Sequence, residues 1–424
     1  MRTDNARVLV VGGGRHLQSE LRRAHSGLRT VVLCRASGLG LVPEPAANDF
    51  VGVLPDDAPV STWVAAARAL RQVWRYERVA ALAEIDQDKA AAIAQDAGLD
   101  YHAPELVEVV NDKHRMRAVL AQSGLTRVRA EMPTDADAAV AAAGRLGLPV
   151  VVKPNGGRGS AGVSIVRSPD EVRDAFALAA RLGADVGEHG ACLQVTPPML
   201  EQFVAGPEFS VECFTIDGNH HVAAVTEKFV DERTHVEVGH LVPARVDPDA
   251  HELIVRYTES VLTALGVTWG VTHTEVILAP DGPEIVETHL RKAGDEILEL
   301  VRDCTGWDLD AATVLQAGGG QVEAPPWDVD DARRGRHYQR CAAVWYAAAD
   351  GPGTLVNVHG LDEVATAPDV RDARQLVATG AEVEALTSSL SRVVRVRTVG
   401  ADPDATVSRA QAQVGRVRIE VVAR

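Results

Sequence analysis

In the N-terminal quarter of the chain, short unbroken apolar runs alternate with stretches whose apolar positions recur at helical spacing. The runs are RVLVV at 7–11, TVVLC at 30–34 and VAALA at 79–83. Helical spacing is clearest at Trp63, Ala67, Leu70 and Trp74, and another helix begins near His16. Fully apolar strands separated by amphipathic helices predict a parallel α/β sheet. Gly12, Gly13 and Gly14 follow the first strand. A dinucleotide site asks for G-x-G-x-x-G and an acidic residue about 20 positions on. Here Leu17 follows the glycines and the second strand ends in Cys34-Arg35. A tight turn is the better reading, with a nicotinamide-dependent oxidoreductase as the outside alternative.

The pattern then changes. A helix begins near Asn111-Asp112, with Met116, Val119 and Leu120 on one face and Gly124 as its stop. The strand PVVVK at 149–153 runs into PNGGRGSAG at 154–162 and a further strand, VSIV, before a helix over 170–182. Strands follow at 199–204 and 209–216, the latter turning at Asp217-Gly218-Asn219 into HHVAAVTEKF. A helix over 249–264 leads to strands at 271–278 and 284–288, and the tail contains VVRVRTV at 393–399. Pro-rich EAPPWD at 323–328 marks a boundary. Four domains are expected, over 1–110, 111–198, 199–325 and 326–424.

With 424 residues, 46% of them hydrophobic, the chain can fill several cores. A net charge of −16 without any Lys/Arg run argues against a nucleic-acid binder. No stretch nears the ~20 apolar residues of a membrane span. The N-terminus lacks a signal-peptide cleavage pattern. Cys34, Cys192, Cys213, Cys304 and Cys341 are dispersed without a CxxC pair, which suits buried thiols in a reducing compartment. A cytoplasmic protein is expected.

Chemistry enters with VTHTEVILAPDGPEIVETHLR at 271–291. Turn residues between two β-rich runs predict a hairpin. A loop from Ala279 to Pro283 sets Glu275 opposite Glu287 and His273 opposite His289, on one face. Directly opposed side chains stand about 4.5–5.5 Å apart, so two carboxylates there repel unless a cation or proton lies between them. A hard divalent ion resolves the conflict. A turn using only Asp281-Gly282 would shift the register and separate the pair. Lys153, followed by the glycine-rich stretch, is a second phosphate-friendly element, although no GK[ST] closes it.

Taken in order, Lys113, Lys153-Pro154, the glycine loop, Glu201-Gln202-Phe203-Val204, Gly206-Pro207-Glu208-Phe209-Ser210, Glu275 and Glu287-x-x-x-Arg291 resemble an ATP-grasp enzyme. The likeness is greatest to carboxylate–amine ligases such as bacterial L-amino-acid (dipeptide) ligases, over roughly residues 7–320. The resemblance implies an α/β (α+β) ATP-grasp fold, with an N-terminal Rossmann-like domain and a small C-terminal domain. It implies that Lys113 and Lys153 contact ATP, that Gly157 and Ser160 lie in a loop closing on the phosphates, and that Ser160 sits near the transferred group. It assigns Glu201, Phe203 and Val204 to the adenine edge and Glu208 to the ribose. Glu275 and Glu287 would hold Mg²⁺ (or Mn²⁺), and Arg291 would stabilise an acyl phosphate. Glu84, Glu237, His240 and Gly294, the last in KAGDEI, would line the substrate pocket, with His240 also a catalytic group stabilising charge at the reacting carbonyl. Lys228 carries no assignment.

One departure stands out: where many such enzymes read Glu-x-Asn, this chain reads Glu287-Thr288-His289. Imidazole is a poorer Mg²⁺ ligand than an amide oxygen, so His289 is expected behind the metal ligands. The resemblance implies amide formation from small carboxylate and amine substrates, with release of ADP and phosphate, and a homodimer, as ligases of this type often form. A carboxylase or nucleotide-precursor ligase on the same frame, and a non-catalytic ATP-binding regulator, stay open as alternatives.

Overall fold

The computed structural model describes residues 6–13, 17–25, 27–81, 84–156, 162–184, 196–234 and 236–423. Gly157, Ser160 and Cys192 lie outside the described residues. The first four strands, β1 (Arg7–Val11), β2 (Arg29–Arg35), β3 (Phe50–Leu54) and β4 (Arg78–Ala80), form a parallel sheet in the order β3-β2-β1-β4. Alternate residues serve opposite faces, as a strand dictates. Leu9, Val11, Val31 and Leu33 pack against Trp63, Ala67 and Ile93. Val8, Val10, Val32 and Cys34 pack against Leu17 and Leu21. Both faces are covered, which is why these strands read as unbroken apolar runs. Strand β4 is described over Arg78–Ala80 and a 3-10 turn over Glu84–Asp86, while positions 82 and 83 of the expected strand lie outside the described residues. Gly12 has φ +90°, and a Cβ there would lie 2.9 Å from Asp86 Oδ2. Both the backbone sign and this close approach call for glycine.

A second, antiparallel sheet has the order β5-β8-β6-β7, from β5 (Ala130–Glu131), β6 (Val150–Pro154), β7 (Ser164–Val166) and β8 (Pro198–Gln202). Helices 136–146 and 169–184 cover one face through Ala139, Ala142, Val172 and Phe176. Strand β8 stops at Gln202, so Phe203 and Val204 leave the sheet instead of extending the strand to 204.

The largest sheet is antiparallel and begins with β9 (Glu208–Ile216), β10 (Asn219–Val230), β11 (Glu237–Val242), β12 (Gly270–Ala279) and β13 (Gly282–His289). The remaining strands are β14 (Cys341–Ala348), β15 (Gly353–His359), β16 (Val370–Gln375), β17 (Glu382–Val383), β18 (Arg392–Gly400) and β19 (Arg418–Val422). Three of these join the large sheet, giving the order β13-β12-β9-β10-β11-β14-β18-β16, while β17-β15-β19 form a small sheet. The sheet therefore runs straight across residue 326, through β11 and β14.

Helix Pro248–Leu265 covers one face of the large sheet. Asp247 caps it by accepting from the amides of Asp249 and Ala250, Pro248 opens it, and Gly266 closes it at φ 82°. Ile254, Val255, Val261 and Leu262 form its buried stripe against Val211, Cys213 and Val225. Burying each such side chain contributes about 1.5–3 kcal/mol. On the opposite face Phe214 and Val271 pack against Leu300, Val301 and Leu309. Two residues further along β12 that same face turns polar, with His273 and Glu275.

Candidate active site

Strands β12 and β13 pair His273 with His289, Thr274 with Thr288 and Glu275 with Glu287. The connecting turn is tighter than the expected Ala279–Pro283 loop, because Ala279 already pairs with Gly282. A register shift between Glu275 and Val276 leaves Val286 as the extra residue, and this bulge restores the opposition of the two carboxylates. Both side chains are only 16% exposed, and both line a cleft of about 610 Å³ between the second sheet and the large one.

Three lysines meet the acids of this cleft. Lys113 Nζ lies 2.7 Å from Glu287 Oε2. Its helix starts beneath the cleft because Asp112 caps it, accepting from the Arg115 amide. Lys228, on β10, lies 2.5 Å from Glu208, 2.7 Å from Glu237 and 3.0 Å from Glu275. Lys153, at the end of β6, lies 2.5 Å from Glu201 Oε1, and Arg117 lies 3.1 Å from Oε2. Burial pushes Glu287 towards the neutral acid, but Lys113 and His289 outweigh it and hold the carboxyl well below its usual range. Glu275 behaves likewise: Lys228 and the His273 hydrogen bond overcome burial, and its pKa is lowered. Burial disfavours the Lys228 ammonium, yet its carboxylate neighbours raise its pKa well above normal. Lys153 is shifted down, first by burial.

Behind these groups stand two histidine–carboxylate pairs. His273 Nδ1 lies 2.9 Å from Glu212 Oε1, while its Nε2 lies 3.5 Å from Glu275. His289 Nδ1 contacts Glu84 and its Nε2 lies 2.9 Å from Glu287 Oε1. Glu84 also receives Arg291 Nε at 3.1 Å. Glu84 thus reaches from the first domain to the end of β13, joining His289 and Arg291. On β11, Glu237 and His240 face Asp295, with His240 Nε2 3.3 Å from Asp295 Oδ2.

The sheet registers thus bring Glu275, Glu287, Lys113, Lys153, Glu201, Phe203, Val204 and Glu208 to one cleft. The Glu201 carboxylate is taken up by Lys153 and Arg117 and is buried at 6% exposure, so it braces the second sheet's lysine instead of presenting an open edge. Sequence reasoning left Lys228 unassigned, took Asp295 only as part of the KAGDEI segment, and missed Arg117, Glu212 and the distant Arg392. Glu212 had a usable signal, since it alternates with Ser210 on a strand otherwise apolar on its other face. Arg392 had none, because its contact spans 97 residues.

Residues 146–298 match the ATP-grasp domain, and residues 345–422 match the L-amino acid ligase C-terminal domain 2. Residues 146–298 thus carry an ATP-grasp domain. Its fold is that of the L-amino acid ligase from Bacillus licheniformis, with a TM-score of 0.80 at 21% identity, covering 100% of both chains. A D-alanine–D-alanine ligase of Parabacteroides distasonis is 30% identical over 149 residues, 34% of this chain and 41% of the relative. Alanine–anticapsin ligase of Bacillus subtilis is 23% identical over 232 residues, 52% of this chain and 49% of the relative. The chain spans about half the length of these curated relatives. The four described cysteines, Cys34, Cys213, Cys304 and Cys341, are free and buried. No helix among the described residues is long and apolar enough to cross a membrane.

Proposed function

We propose that this protein is an ATP-dependent carboxylate–amine ligase, which joins amino acids or small carboxylic acids to an amine and releases ADP and phosphate. The observation that carries this reading is the side-by-side placement of Glu275 and Glu287 among Lys113, Lys228 and His289 in one cleft. The names of the relatives, two of them ligases of amino acids, agree with it.

The donor chemistry fits a hard divalent ion. Glu275 and Glu287 supply carboxylate oxygens on one sheet face, and lysines already offset their mutual repulsion. Mg²⁺ or Mn²⁺ held there supplies charge neutralisation for nucleotide phosphates. His289 is engaged on both ring nitrogens, by Glu84 and Glu287. It acts as an orienting group behind Glu287, as metal-site carboxylates commonly require. Val151, Ile165 and Ile277 give the cleft apolar walls suited to a flat base, with Phe203 and Val204 at its edge and Glu208 beside them for ribose hydroxyls. Lys113 and Lys153 balance phosphate charge. The substrate carboxylate attacks the γ-phosphorus, and the amine then displaces phosphate from the acyl phosphate. Arg291, held by Glu84, balances the charge on the reacting acyl group, with Glu237, His240 and Gly294 nearby for substrate recognition.

The test is ADP release over a matrix of paired amino acids and small carboxylic acids, with hydroxylamine as the trapping amine. An acyl hydroxamate is expected, and Glu287→Gln should abolish its formation while leaving the fold intact. ADP release that never depends on a carboxylate, or turnover without any hydroxamate, would defeat the proposal.

A further inference from the structure

Arg392 belongs to β18, in the C-terminal part of the chain, yet its guanidinium ends at the loop that follows β13. Its Nη1 and Nη2 lie 2.8 and 2.5 Å from the two oxygens of Asp295, a bidentate fork. Nη1 also lies 3.5 Å from the Glu237 carbonyl oxygen, and the guanidinium carbon sits 4.0 Å from the centroid of the Tyr346 ring. Arg392 is 7% exposed, so the fork is set in a desolvated place. Asp295 then touches His240 Nε2 at 3.3 Å.

The loop itself is held under strain. Asp295 and Glu296 both have left-handed backbones, with φ 55° and 62°. Non-glycine residues keep this conformation only where their surroundings fix it. Here the anchors are Arg392 on Asp295, and Arg395 and Arg397 on Glu296 at 2.9 and 3.5 Å. All three arginines come from β18.

A metal centre is the competing account, because Glu237, His240 and Asp295 offer ligand atoms within 4.8 Å of one another. The hydrogen-bond geometry argues otherwise. The Arg392 fork takes both oxygens of Asp295, Asp295 takes His240 Nε2, and Glu237 shares Lys228 with Glu208 and Glu275. An ion there would have to displace a buried, bidentate ion pair.

Resting on the ligase reading, we propose that Arg392 is a positioning residue of the amide-forming site, clamping through Asp295 the loop that carries Arg291 and Gly294 and the ring of His240. The C-terminal strands thereby set the geometry in which the amine meets the acyl phosphate, without touching the nucleotide end of the cleft.

The test compares wild-type protein with Arg392→Gln and Arg392→Lys. Affinity for Mn·ADP, measured by calorimetry, should stay within about twofold, since the fork is absent from the nucleotide cleft. Amide formation per ADP released should fall, with kcat/KM for the amine down roughly 100-fold in Arg392→Gln, as small displacements of reacting groups allow. Lysine restores the charge but not the fork, so partial recovery is expected. Hydrogen exchange of residues 291–296 should quicken in Arg392→Gln, a readout that needs no turnover. Wild-type coupling and wild-type exchange in Arg392→Gln would overturn the role of Arg392 alone. A wild-type protein releasing no ADP with any substrate pair would overturn the ligase reading, and with it this role in amide formation.

Discussion

Lys228 sits within 3.0 Å of three carboxylates, those of Glu208, Glu237 and Glu275, and its own side chain is 7% exposed. Such an arrangement is stable only as a whole. Removing the ammonium leaves acids that repel in a partly desolvated place, so Lys228→Met should lower unfolding free energy by about 3 kcal/mol, measured by urea denaturation. An unchanged midpoint and slope would show that the three acids find water or other partners. At this scale the sequence was readable where residue type and order carried the message. Glu275, Glu287, Lys113 and Lys153 came from motifs and pairing. Lys228 did not, because a lysine near the end of a strand is ordinarily solvated, and only the registers of β10 with β9 and β11 turn it towards acids.

The β12–β13 hairpin shows how an element tunes a site. Glu275 and Glu287 meet, but through a tight turn and a bulge at Val286 instead of the longer loop read from APDGP. A bulge depends on the twist and packing of both strands, which Tyr257 helps fix by accepting the Ile285 amide and which no local residue pattern announces. Nearby, the segment entering β9 passes so close to β12 that a Cβ on Gly206 would lie 2.3 Å from the Leu278 carbonyl oxygen. Gly206→Ala should therefore force the strands apart and destabilise the protein by about 1–3 kcal/mol. It should also weaken nucleotide binding, since Gly206 lines the cleft. Denaturation and a nucleotide titration on the same variant check both. A fully stable variant with normal binding would mean the contact yields without consequence.

Across the whole molecule, two buried imidazoles link stability to acid. His102 stacks on Trp269 with centroids 4.5 Å apart, and burial pushes its pKa down to about 4. Burial likewise takes His337 to about 4, against the opposing pull of its bond to the Ala223 carbonyl. Below the ordinary value of 6.5 the unfolded chain takes up protons that the folded chain refuses. Their contribution is thus complete above pH 6.5 and is lost as pH falls towards about 4. His102→Phe should keep the stack and show a smaller loss of stability between pH 7 and pH 5 than the wild type. Equal losses would remove His102 from the account. At this scale the parallel first sheet was legible from its apolar runs. The continuity of the large sheet from β13 to β16 was not, because the β11–β14 pairing joins residues about a hundred positions apart and antiparallel edges leave no mark in local spacing.

On the proposed ligase function, Glu275, Glu287, Lys113 and Lys153 are arranged for transfer of a phosphoryl group to a substrate carboxylate. The direct measurement uses that substrate labelled with ¹⁸O in its carboxyl group, with mass analysis of the phosphate released during amide formation. Passage through an acyl phosphate moves one labelled oxygen into phosphate at every turnover. Phosphate that emerges unlabelled while amide accumulates would contradict the account.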